Sequence, residues 1–331
     1  MIDLRLFSAK PYDQRSFEAA NADRVALSFL ESRLGPSTVG LAAGADAVCA
    51  FVNDDLSAPV LGALVEGGTS CVALRCAGYN HVDLSAADEL GLVVARVPAY
   101  SPNAVAEHTI ALILALDRHI PRAYNRVRDG NFSLDGLVGF DIAGKTAGVI
   151  GAGRIGRIVA RLLWHLRCRV LVADPFPDEH LLELGAEYVD VDTALEQSDI
   201  VTLNCPLTDE THHLIDEVAI GRMKRGAMLV NTGRGALLDT AAVIDGLKSG
   251  QIGSLALDVY EEEAPLFFED RSDEVLHDDR FARLLTFPNV LITAHQAFLT
   301  GEALAAIAET TLANVTEVVQ TGTCANRVRP A

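Results

Sequence analysis

Four stretches of this chain put reactive residue types where chemistry could use them: the turn Gly151-Ala-Gly153-Arg-Ile-Gly156, the acid Asp174, the arginine of Thr232-Gly-Arg234-Gly235, and the pair Glu263 and His295. In the turn, Gly151 allows a tight reversal, Gly153 lets backbone N–H groups approach a pyrophosphate, and Gly156 lets a helix pack closely on the preceding strand. The N-terminus of that helix favours the anion. Asp174 ends the next apolar run, Arg169-Val-Leu-Val-Ala173, where an acid can hold a ribose and would repel a 2′-phosphate. The spacing therefore points to NAD rather than NADP. Histidine titrates in the range needed to hand a proton to a carbonyl oxygen as hydride arrives at its carbon, which is the role read for His295. A carboxylate on the other ring nitrogen orients the imidazole and favours its protonated form, the role read for Glu263. Arg234 carries a planar fork that suits a substrate carboxylate held at two points and can also polarise a carbonyl. Reduction of a 2-oxo acid by a nicotinamide needs this set of groups.

Such residues need a scaffold that brings them to one edge. Strand-like runs alternate with helix-like ones along most of the chain, the pattern of an α/β fold with parallel sheets. A first block has candidate strands at 3–7, 25–29, 47–51, 71–75 and 92–97 and carries no dinucleotide fingerprint. A second has candidate strands at 146–150, 169–173, 200–203, 227–231, 254–258 and 290–293, six strands that make a complete Rossmann set. Between them Ser101 reads as N-cap and Pro102 as the first residue of an apolar helix, with a hinge near residue 100. Residues 300–319 form a further helical run ending at Gly322. Ligands of open α/β sheets bind beyond the carboxyl ends of the strands. In chain order that rim carries the glycine turn, Asp174, Asn204-Cys-Pro206, Thr232 to Gly235, Asp258 with Glu261 to Glu263, and His295.

The length of 331 residues and a half-hydrophobic composition suit two domains with substantial cores. A net charge of −18 argues against nucleic acid and anionic membrane surfaces as partners. The N-terminus lacks the basic start and long apolar core of a signal peptide, and the apolar stretch 110–116 is far short of a membrane span. Cys49, Cys71, Cys76, Cys168, Cys205 and Cys324 form no CxxC pair and have no zinc-like histidine spacing, so reduced thiols in the cytoplasm and no metal are expected. Cys205 has no evident activating base and is not read as a nucleophile. Structural alternatives stand beside the functional ones: His295 could cap a strand end and Arg234 could form an ion pair at a helix start. His212 and His213, in a loop after Pro206, are read as solvated or capping side chains, with cofactor contact as the alternative, and His108 as structural.

The segments Asn231-Thr-Gly-Arg-Gly-Ala-Leu237, Leu257-Asp-Val-Tyr-Glu-Glu-Glu263 and His295-Gln-Ala-Phe-Leu-Thr300 resemble the D-isomer-specific 2-hydroxyacid dehydrogenases, in particular their fermentative D-lactate dehydrogenase branch. Arg75-Cys-Ala-Gly-Tyr-Asn-His-Val-Asp83, Val97-Pro-Ala-Tyr-Ser-Pro102 and the insert Leu266-Phe-Phe-Glu-Asp270 are similar to that branch as well, so the likeness spans nearly the whole chain. The resemblance implies two doubly wound domains, a Rossmann NAD-binding domain over 101–298 inserted into a flavodoxin-like substrate domain made of 1–100 and 299–331. It implies the same catalytic roles for Arg234, Glu263 and His295. It further implies that backbone N–H groups around Ala77 and Gly78 hold the substrate carboxylate, with Tyr100, Phe298 and Phe51 lining the pocket; core packing is the competing role for Tyr100 and Phe298. For the cofactor it implies Arg154 and Ile155 at the pyrophosphate, Asp174 at the ribose, and Cys205, Pro206, Thr232 and Asp258 towards the nicotinamide. Three consecutive glutamates make register matter, and the family pattern Asp-Val-Tyr-Glu-x-Glu selects Glu263. Pyruvate is the substrate that the resemblance favours, with glyoxylate, hydroxypyruvate or a longer 2-oxo acid as alternatives, phosphoglycerate as a weaker one, and a homodimer or homotetramer as the assembly. From another class, an NAD-sensing regulatory protein shares this fold.

Overall fold

Short aliphatic runs become strands in both halves of the chain. The computed structural model describes residues 1–264 and 266–330, in two units: Met1–Ser101 with Leu299–Ala331, and Pro102–Phe298.

The first unit contains β1 (Ile2–Leu6), β2 (Val25–Phe29), β3 (Ala47–Ala50), β4 (Cys71–Leu74) and β5 (Val93–Arg96). They pair in parallel in the order β5-β4-β3-β1-β2, which is flavodoxin-like. Two residues near the C-terminus add an antiparallel edge beside β5, at Arg327 and Val328, so this sheet is not wholly parallel as the strand runs suggested. The helix Gly301–Thr321 covers one face. Its Ala308, Leu312, Val315 and Val318 recur at helical spacing and join Leu4, Leu6, Cys49 and Ala73 in one buried cluster. Complete burial of a side chain such as Leu312 stabilises by about 2–3 kcal/mol relative to exposure. The helix starts where Thr300 accepts from the Ala303 N–H at 3.2 Å and stops at Gly322, whose φ of 81° a side chain would resist.

The second unit contains β6 (Thr146–Ile150), β7 (Arg169–Ala173), β8 (Glu187–Tyr188), β9 (Ile200–Leu203), β10 (Ala227–Asn231), β11 (Ile252–Leu257) and β12 (Val290–Ile292). All pair in parallel, in the order β12-β11-β10-β9-β6-β7-β8. This is the Rossmann order with an additional outer strand, seven strands where the apolar runs showed six, and its sequence direction reverses at β6. Alternate residues explain why these runs are apolar throughout: Leu229, Leu255 and Leu257 enter one core, while Met228, Val230 and Ala256 enter the other. Pro102 opens the helix Pro102–Asp117, which buries Leu112, Ile113 and Leu116. No helix among the described residues is long and apolar enough to cross a membrane.

Candidate active site

The glycine turn follows β6 directly. A Cβ on Gly151 would lie 2.5 Å from the Cys205 nitrogen, and one on Gly156 would lie 1.9 Å from the Gly151 oxygen, so the fold itself demands both glycines. Gly153 differs, since a Cβ there would meet nothing within 4 Å. Packing does not explain that glycine, whereas unobstructed backbone beside a helix N-terminus is what a pyrophosphate requires. Asp174, at the end of β7, accepts from the Ala152 N–H at 2.6 Å with one oxygen and from the Phe176 N–H at 2.8 Å with the other. It braces the turn and keeps a lone pair on each oxygen for a ribose hydroxyl. Arg154 is exposed and Ile155 half-buried in the turn just before the helix Gly156–His165. These residues fit a dinucleotide.

Cys205 and Pro206 follow β9. Burial pushes the Cys205 thiol up to about 11, which keeps it protonated and inert at neutral pH. Thr232, just past β10, is buried with its hydroxyl 2.8 Å from that of Thr109. Asn231 shapes the next turn, accepting from the Gly233 N–H at 3.0 Å and donating to the Arg234 carbonyl at 2.8 Å. Arg234 is half-buried, and its Nη1 donates to the Gly233 carbonyl at 2.7 Å. No carboxylate among the described residues pairs with it, so the ion-pair alternative has no partner here. A Cβ on Gly235 would lie 2.0 Å from the Tyr260 carbonyl carbon, so this glycine seats the arginine turn against the one carrying the three glutamates.

That neighbouring turn separates the glutamates by partner. Glu263 takes the His295 Nδ1 at 2.7 Å on one oxygen and the Tyr260 N–H at 3.0 Å on the other. Glu261 takes His213 Nε2 at 2.6 Å and the Thr240 hydroxyl at 2.8 Å. Burial alone would raise the Glu261 carboxyl, but the bonds from His213 and Thr240 outweigh it and hold the group below its ordinary value.

His295 follows β12 with φ of 53°, a conformation unusual outside glycine. Asp258 holds it there. The His295 N–H donates to the Asp258 carbonyl at 2.7 Å, and the Asp258 carboxylate accepts from the N–H groups of Gln296 at 2.9 Å and Ala297 at 3.0 Å and from the Thr293 hydroxyl at 2.6 Å. His108 lies 3.5 Å away on the same carboxylate. Burial would raise the Asp258 carboxyl, yet His108, Thr293 and the two backbone donors overcome it and hold the group low. Phe268, from the insert after Glu263, faces the His295 ring with centroids 5.7 Å apart and has φ of 70°. Sequence reasoning did not single out Phe268; the paired phenylalanines were the available signal.

In the first unit Phe51 follows β3, with the Arg75 guanidinium 4.6 Å from its ring centre. Arg75 is itself buried, donating to the carbonyls of Phe7 at 2.9 Å and Ser8 at 2.8 Å beside Asp13. Ala77 and Gly78 follow β4, where the Ala77 carbonyl accepts from Arg96 at 2.9 Å. Tyr100 is half-buried near the end of the first segment, and Phe298 is buried at the end of the second unit.

A parallel sheet in this order, with a glycine turn at its reversal point, defines a dinucleotide-binding protein of the Rossmann type. Residues 110–297 match the family described as D-isomer specific 2-hydroxyacid dehydrogenase, NAD binding domain. The chain is 52% identical over 326 residues to the D-lactate dehydrogenase of Escherichia coli, covering 98% of this chain and 99% of that one. Among solved structures it is similar to the pyruvate reductase of Chlamydomonas reinhardtii, with TM-score 0.93 and 43% identity over 100% of this chain and 98% of that one. It is also similar to the D-lactate dehydrogenase of Aquifex aeolicus complexed with NAD and lactic acid, with TM-score 0.86 and 32% identity over 99% of both chains. The chain belongs to the D-isomer specific 2-hydroxyacid dehydrogenases and is an NAD-dependent oxidoreductase.

Proposed function

We propose that the chain is a D-lactate dehydrogenase that interconverts pyruvate and D-lactate, with His295 as acid and base. The observation that carries this reading is the 2.7 Å bond between His295 Nδ1 and Glu263, on the rim that also bears the glycine turn and Arg234, which meets no carboxylate among the described residues. A carboxylate on Nδ1 fixes the ring's orientation and leaves Nε2 to carry the working proton. In reduction Nε2 gives that proton to the substrate oxygen, and in oxidation it takes it back. Arg234 grips the substrate carboxylate through its fork and draws charge from the carbonyl. The nicotinamide supplies or receives the hydride.

Arg154, Ile155, Asp174, Cys205, Pro206, Thr232 and Asp258 are assigned to the cofactor side, with Asp258 also bracing the His295 turn. Ala77, Gly78, Phe51, Tyr100 and Phe298 are assigned to substrate binding on the strength of the resemblance. The names of the similar proteins support a small 2-oxo acid. Self-association as a homodimer or homotetramer is supported by the helix Ile120–Arg128, which buries no residue and exposes Ile120, Tyr124 and Val127 at helical spacing, with Phe132, Leu134 and Val138 exposed after it. Six cysteines in no disulfide, five of them buried, support the cytoplasm.

NADH oxidation followed with pyruvate, glyoxylate, hydroxypyruvate and 2-oxobutyrate, and NAD reduction followed with D- and L-lactate, test the proposal. The highest kcat/KM is expected with pyruvate, and reversal with D-lactate only. Preference for another oxo acid would replace the substrate, and NADH binding without any turnover would favour a sensing protein.

A further inference from the structure

We propose that His212, His213 and Glu261 form a binding site for one divalent transition-metal ion, apart from the catalytic pair. The sequence alone pointed the other way, because Glu261 lies 48 residues from His213 and no short motif joins them. Folding brings them together. One ligand atom from each lies within 4.8 Å of the other two.

The donors suit a particular class of ion. Two imidazoles and one carboxylate match Zn2+, Co2+, Ni2+ or Cu2+, whereas Mg2+ and Ca2+ prefer oxygen alone. Ligand atoms at about 2.0–2.1 Å from a tetrahedral Zn2+ stand roughly 3.4 Å from one another. The 2.6 Å between His213 and Glu261 must therefore open slightly as the shared proton leaves, and His212 must close in. His212 is free to do so, because its side chain is exposed and needs only a rotation. Its ring already stacks on that of His213, with centroids 4.0 Å apart and planes 28° from parallel.

Two of the three ligands are also held in advance. The His213 backbone has φ of 51° and is fixed by donation of its N–H to the Ala236 carbonyl at 2.8 Å. The free side of the Glu261 carboxylate is oriented by the Thr240 hydroxyl at 2.8 Å, the kind of outer partner that aims a metal-binding carboxylate. With two neutral imidazoles and one carboxylate the loaded site carries a single net positive charge, and water fills its remaining positions. An ion there ties the segment after β9 to the turn after β11. Neither Glu263 nor His295 supplies a ligand.

The test is calorimetric titration of Zn2+ into full-length protein freed of metal by chelation, comparing the wild type with His212→Ala and Glu261→Gln. The wild type is expected to bind one more ion per chain than either variant, or to bind that ion at least tenfold more tightly. Zn2+ is expected to raise the thermal midpoint of the wild type and not that of His212→Ala. Because His212 is exposed, His212→Ala keeps the fold, and circular dichroism verifies this for both variants. Equal stoichiometry and affinity in the wild type and His212→Ala would overturn the proposal, leaving a simple His213–Glu261 ion pair; absence of binding to the wild type would overturn it as well.

Discussion

Replacing Glu263 by glutamine changes almost no volume and asks whether the carboxylate is needed as such. Two donors face it, His295 Nδ1 at 2.7 Å and the Tyr260 N–H at 3.0 Å. A carboxylate accepts on both oxygens, but a carboxamide accepts on one and donates on the other. Whichever way the introduced amide turns, one of the two contacts becomes donor against donor unless the histidine gives up its Nδ1 proton. The substitution therefore removes one charge-assisted hydrogen bond, worth about 1.5–3 kcal/mol. The side chains of His295 and Glu263 are 18% and 21% exposed, and solvent screening puts the loss near the lower end of that range. At 1.36 kcal/mol per tenfold in rate, stopped-flow reduction of pyruvate should then show kcat falling by about tenfold. NADH affinity, read from fluorescence, should stay within about twofold. An unchanged kcat would refute the reasoning.

Three further substitutions separate the parts of the cofactor rim. Asp174→Ala should cut the ratio of kcat/KM for NADH over NADPH by about tenfold or more, since it removes both a ribose acceptor and the charge that repels a 2′-phosphate; kinetics with both cofactors checks this. Gly153→Ala should leave the thermal midpoint within about a degree, because its Cβ enters open space, while NADH affinity falls about tenfold or more as the pyrophosphate loses its close approach. Asp258→Asn should destabilise by about 2–3 kcal/mol at neutral pH, the value of a buried charge-assisted acceptor. Its carboxyl is held low in the folded state, so the wild-type advantage is complete above the ordinary aspartate value near 4. It should shrink as pH falls below that value towards the folded-state one, which denaturant titrations from pH 7 to pH 3 measure.

Much of the scaffold could be read from residue order, for an identifiable reason. Strands buried on both faces are apolar along most of their length, so their runs stand out, and β6, β7, β9 and β10 begin and end at the residues where those runs do, as does the half-exposed edge strand β2. Strands of two residues have no such signature, so β8 and the pair Arg327 and Val328 are invisible to it. At β11 the apolar run begins two residues after the strand does. Gly253 interrupts the apolar pattern there, and a side chain on it would strike the Gly226 carbonyl at 2.1 Å. The strand-end positions of Arg234, Glu263 and His295 were legible for the same reason as the strands. What spacing alone could not decide was which glutamate serves the histidine. Folding sorts them, giving Glu263 to His295 and Glu261 to His213. The position of Phe268 against His295 also lay beyond sequence patterns, because the insert has no regular period.

The most direct test of the catalytic assignment is His295→Gln, measured by single-turnover hydride transfer from NADH to pyruvate and, separately, by NADH binding. Loss of the proton donor should slow transfer by about 10²–10⁴-fold while the NADH dissociation constant changes by less than about twofold, because the histidine acts on the transition state and not on the cofactor. Transfer at the wild-type rate would contradict the assignment, and so would a parallel collapse of NADH binding.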